Sequence, residues 1–290
     1  MVLTASSPSN GGLFPFVDPI LKRLGESDIG WAIAEAFAAE KESVASIESL
    51  FAWMADGHLT QDFYALFFHS WKVTHLKMLA IYGLSCRLQR LAVQHGAGFE
   101  RDCLMLAAVH NAATSYEDLG LDYEGLTHAE LYDQLVANFL PDDQWVRSRW
   151  CLAPAKLFQE WVYKNMVVQP ELTGLLTNLF SEIYNHAEYS IAQRSFAQRL
   201  ERQGEMPRSQ QKKALCYIDV HVSDATEEEH FEVVLEAIQL YSKATSIAVD
   251  RLQALSIFRE YLCKIGLIME MLEKNGREMS CNREIACVHS

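Results

Sequence analysis

The chain has 290 residues, half of them apolar, with 14 Gly, 7 Pro and a net charge of −13. That suffices for a sizeable core, and scarce Gly and Pro beside abundant Ala, Leu, Glu and Gln favour an all-α fold. The acidic balance, whose one basic cluster lies at 208–213, excludes nucleic acid as the expected partner, and seven scattered cysteines without a CxxC exclude a disulfide framework or zinc knuckle.

In chain order, residues 1–14 are rich in Ser, Gly and Pro and are expected to be disordered. No charged segment leads into an apolar core there, as a signal peptide requires, and no uncharged apolar run is long enough to span a bilayer. With cysteines that suit a reducing compartment, the expectation is a cytoplasmic protein with no membrane partner. Helical periodicity starts at Asp28, taken as the cap, and a second helix ends at Gly57. Thr60 then caps what reads as one unbroken helix over 61–95, and another runs from Gly98 to a stop at Gly120. Thr127 and Glu130 form a capping box for the next helix, with Leu126 and Leu131 as its staple. Pro170 opens a second long helix that reaches about residue 203, and final helices cover about 224–273. Residues 275–290 show no period and are expected to be a flexible tail, which leaves one helical domain over 15–274.

No phosphate-binding glycine loop, nucleophile elbow or HExxH is present. Chemistry is left to three groups of carboxylates and histidines. Glu117 and Asp118 end one helix and His128 begins the next, so a carboxylate and an imidazole can converge across a short loop. On the second long helix Glu188, among Ala187, Tyr189 and Ile191, is the better candidate for burial, whereas Glu182 reads as part of a solvated face. His221, Asp224, Glu227 and His230 crowd into ten residues, as metal ligands or as a loop capping an acidic first turn. His221 and His230 are nine residues apart and would oppose each other on a straight helix, so their convergence requires a break near 223–224. His69 and His75 read as core or surface residues, not ligands.

Taken together, "HNAATSYEDLG…THAELY", Glu188 and, 33 positions later, "HVSDATEEEH" resemble the haem-oxygenase-like di-iron oxidases, which include CADD-like proteins and share a TenA/PqqC-type helical bundle. The resemblance implies a single-domain bundle of about seven core helices with extra N- and C-terminal helices. It implies two Fe(II) ions per chain, with O₂ as co-substrate, held by Asp118 or Glu117, His128, Glu188, His221, Asp224 or Glu227, and His230. The implied activity is an O₂-dependent oxidation of a small amino-acid-derived or carboxylic-acid metabolite: N-oxygenation, desaturation, C–C cleavage or oxidative decarboxylation. A homodimer is compatible with it. Two departures from the family pattern stand out. The first carboxylate in strict register is an Asp, and the spacings within 221–230 differ from His-x3-Asp-x2-His. Two alternatives keep the bundle: a metal-independent TenA/PqqC-like enzyme of cofactor metabolism, whose hydrolase form would need a thiol such as Cys216, and a non-enzymatic helical binding protein.

Overall fold

The computed structural model describes residues 12–115, 125–204, 207–222 and 226–288. All regular structure among them is helical: α1 (Phe14–Leu24), α2 (Asp28–Ala39), α3 (Lys41–Asp56), α4 (Gln61–His75), α5 (Met78–Gln94), α6 (Phe99–Ala113), α7 (His128–Val136), α8 (Ala153–Tyr163), α9 (Glu171–Gln203), α10 (Arg208–Ala214), α11 (Cys216–Val222), α12 (Thr226–Thr245) and α13 (Arg251–Val288). None of these helices is long and apolar enough to cross a membrane.

The bundle is organised around α9, which starts after Pro170 and ends at Gly204, in the left-handed conformation with φ 72°. Helices α1, α3, α5, α11, α12 and α13 all pack on it. Its interior surface is not purely apolar: Thr177, Asn178, Ser181, Glu182, Asn185, Glu188 and Ser190 are buried beside Leu179, Phe180, Ile183 and Tyr184. Buried polar groups have to be satisfied inside the protein, and the neighbours of α9 are arranged to do this. Asn178 donates to Asn111 Oδ1 on α6 at 3.1 Å, and Asn111 donates to Ser85 Oγ on α5 at 2.9 Å.

The helix expected over 61–95 is two helices. Thr60 caps α4 by accepting from Phe63 N at 3.1 Å, but the chain leaves the helix at Leu76, whose ψ is 70°. Thr74 Oγ1 and His75 Nδ1 both donate to the Trp71 carbonyl at 2.8 Å, placing side-chain donors on an acceptor of the last turn. On an unbroken helix His75 and Lys77 would lie about 200° apart; the break turns both toward one cavity.

Two termini also differ from expectation. Ser27, not Asp28, caps α2, accepting from Gly30 N at 3.1 Å. Residues 275–281, expected within a flexible tail, continue α13: Met279 packs against the core and Ser280 Oγ donates to His58 O. A Cβ at Gly276 would overlap the rings of Trp53 and Phe63. Gly276→Ala is therefore expected to cost about 1–3 kcal/mol in urea unfolding, and an unchanged midpoint would show that α13 does not close on α3 and α4 there. The expected N-terminal disorder at 1–11 lies outside the described residues, while Leu13 is fully buried with its backbone N–H on Glu48 Oε1 at 2.8 Å.

Candidate active site

A cavity of about 530 Å³ lies between the α4–α5 break, α7, α8, α9, α11 and the start of α12. Its outer part is apolar, with Leu76, Met78, Leu79 and Tyr163; its floor is built from His75, Lys77, His128, Tyr132, Glu182, Asn185, Tyr189, Tyr217, His221 and His230.

Two carboxylates of α9 organise that floor. Glu182 is 2 % exposed, which corrects its reading as part of a solvated face. Lys77 Nζ donates to Glu182 Oε1 at 2.6 Å and to Ser181 Oγ at 3.0 Å, and His230 Nδ1 lies 3.6 Å from Glu182 Oε2. Burial alone would raise the Glu182 pKa, but the Lys77 charge and the His230 contact outweigh it and hold the carboxyl at about 2. Glu188 is fully buried, as its apolar neighbours suggest, and its Oε2 lies 3.0 Å from His75 Nε2. Its Oε1 has no hydrogen-bond partner among the described residues. Burial first, and the nearby Glu188 charge second, push the Tyr184 phenol well above its usual range.

A histidine–tyrosine cluster completes the floor. The His221 ring stacks on Tyr189 at 4.1 Å between centroids, 9° from parallel, and meets His128 edge-on at 4.8 Å. The Tyr189 and Tyr217 hydroxyls are 2.8 Å apart. Burial, reinforced by His128, His75, Lys77 and His230, drops the His221 pKa well below 6.5, so His221 is neutral at physiological pH.

The structure thus gathers some of the sequence candidates and separates others. His128, His221 and His230 reach one cavity; the break expected near 223–224 lies outside the described residues. Glu117, Asp118 and Asp224 lie outside the described residues; Glu227 is described only in its backbone, in the first turn of α12. His75, read as core or surface, and Lys77, not considered, are the partners of the two buried glutamates. The available signal was Lys77 itself, a lone cation in the apolar run "HLKMLAIYG". His69 instead donates to the Trp145 carbonyl at 2.8 Å, and no cysteine is among the described residues that line the cavity.

No protein-family model matches the sequence, and no curated protein matches it. Among solved structures the chain is similar to a TenA homolog from Pseudomonas syringae pv. tomato strain DC3000, with a TM-score of 0.59 and 12 % identity over 85 % of this chain and 93 % of that one. The fold is TenA-like. The all-helical expectation holds, and the sequence resemblance and the structural likeness meet at the level of the bundle.

The iron implied by the sequence resemblance can be tested against the residues present. Among the described residues no group of three or more His, Cys, Asp or Glu is arranged to hold a metal ion. Glu182 is engaged by Lys77 and His230, and Glu188 by His75. Among the described residues, then, no metal donor set is assembled, and Glu117, Asp118, Asp224 and the Glu227 side chain lie outside them.

Proposed function

We propose that this chain is a metal-independent TenA/PqqC-like enzyme of cofactor metabolism that holds a small organic substrate in the TenA-like cavity and moves protons on it. One observation carries the reading: the buried Lys77–Glu182–His230 group faces a cavity instead of being sealed in the core. Ionised groups are costly to bury, and charged groups gathered in a largely apolar pocket are the usual mark of a working site. Lys77 offers a fixed positive charge to a developing oxyanion. Neutral His221 offers one nitrogen as donor and the other as acceptor, and the Tyr189–Tyr217 hydroxyl pair extends that path. Glu182 stays ionised and serves as the counter-charge that fixes Lys77, not as a base. A thiol-dependent hydrolase is not supported by the described cavity wall, and a purely binding bundle would not need Glu182 and Glu188 buried and paired.

The test is a thermal-shift screen of small metabolites with chelator present, followed by turnover of the hits. Turnover should survive chelation and fall at least about 100-fold in His221→Asn. Activity that vanishes with chelator and returns with Fe(II) would sink the metal-independent reading.

A ferrous di-iron oxidase is the second reading, favoured by one feature: the bare Glu188 Oε1, in a fully buried carboxylate. Anaerobic Fe(II) loading checks it. Iron above about 0.2 equivalents per chain, with an O₂-dependent absorbance change, would support it, and His128→Ala or Glu188→Ala should then abolish loading.

A further inference from the structure

We infer that Lys77 is the resident cation of this site, and that it excludes a divalent metal from Glu182. The inference deepens the metal-independent reading and rests on it. A buried carboxylate beside a cavity needs a positive charge, and a metal or a side chain can supply it. Here the three protons of the Lys77 ammonium meet three acceptors. Glu182 Oε1 is at 2.6 Å, Ser181 Oγ at 3.0 Å, and the Asn185 carboxamide oxygen at 2.9 Å when that amide is turned so that its nitrogen donates to Ser181 O at 3.2 Å. Three donors and three acceptors saturate the group. The second Glu182 oxygen faces His230 at 3.6 Å, so both carboxylate oxygens already lie beside a nitrogen-bearing side chain.

Local backbone structure points the same way. The α4–α5 break brings Lys77 inward, where its side chain is 13 % exposed. Ser181 and Asn185 flank Glu182 at one and three residues along α9, so one helical turn supplies all three acceptors. The Lys77–Glu182 pair is charge-balanced without a metal, and a divalent ion taking Glu182 Oε1 would have to displace an ammonium with every hydrogen bond made.

Co(II) is the probe, read by its d–d absorbance and by calorimetric titration, beside thermal unfolding. Lys77→Met leaves Glu182 alone, and its melting point should fall by on the order of 10 °C. Adding Co(II) should restore part of that loss, with Co(II) bound at least about tenfold more tightly than by the wild type. In Lys77→Met/Glu182→Gln the buried charge is gone, so the melting point should recover without metal and the Co(II) effect should vanish. Wild type that binds Co(II) as tightly as Lys77→Met, or binding that persists in the double variant, overturns the inference. Should Lys77→Met fail to fold, wild type and Glu182→Gln decide: equally weak Co(II) binding supports the inference, and a Glu182-dependent cobalt site in the wild type refutes it. Turnover is read in none of these arms, so failure here is distinct from failure of the acid–base reading, which has its own chelator test.

Discussion

Acidification from pH 4.5 to pH 2 is expected to remove about 3 kcal/mol of stability through Glu182 alone. The carboxyl has a pKa of about 2 in the folded protein against 4.5 as its ordinary value, and each unit of difference is worth about 1.4 kcal/mol. The folded value is the depressed one, so the contribution is fully present above pH 4.5 and disappears as the pH falls through the folded value. Glu182 is 2 % exposed, so solvent does not screen it. The measurement is urea unfolding across this window for the wild type, Glu182→Gln and Lys77→Met/Glu182→Gln. Other carboxylates contribute to the acid limb of all three, so the difference between the curves is the readout. Glu182→Gln should be flatter in acid by about 3 kcal/mol, and near pH 7 it should be less stable by about 3–5 kcal/mol because Lys77 is left buried without its counter-charge. The double variant should share the flat acid limb and regain most of the neutral stability. Parallel acid limbs for the wild type and Glu182→Gln would show that the pair does not hold its charge in the folded state.

The features that were legible in the sequence share a cause: their chemistry is complete within a few residues. Thr127 and Glu130 do form the capping box, with Thr127 N on Glu130 Oε2 at 2.8 Å. Pro170 does set the start of α9. The α4–α5 break was hidden for the opposite reason. No Gly or Pro interrupts residues 61–82, and apolar periodicity runs through His75 and Lys77 unchanged. The groups that reward the break, Glu182 and Glu188, lie more than a hundred residues away on α9. Glu182 was misread for the same reason, since a glutamate carries no local sign that a distant lysine will be folded against it. Three of the histidines that the resemblance groups, His128, His221 and His230, line one cavity. The resemblance said nothing of Lys77, which decides how the charge there is balanced.

His75→Ala should be the second large loss, about 3 kcal/mol in urea unfolding near neutral pH. Glu188 is fully buried, and His75 Nε2 lies 3.0 Å from its Oε2. Truncating His75 strands the buried carboxylate without its imidazole partner, and an uncompensated buried charge typically costs about 3–5 kcal/mol. Loss of the ring's packing against Trp71 and Tyr189 adds to it. Packing and charge are separable, because His75→Ala/Glu188→Leu keeps the first loss and removes the second. Recovery of more than half of the lost stability in the double variant would assign the effect to the stranded carboxylate. No recovery would mean that His75 acts as a packing residue, and the α4–α5 break would then have to be attributed to the pull of Glu182 on Lys77 alone.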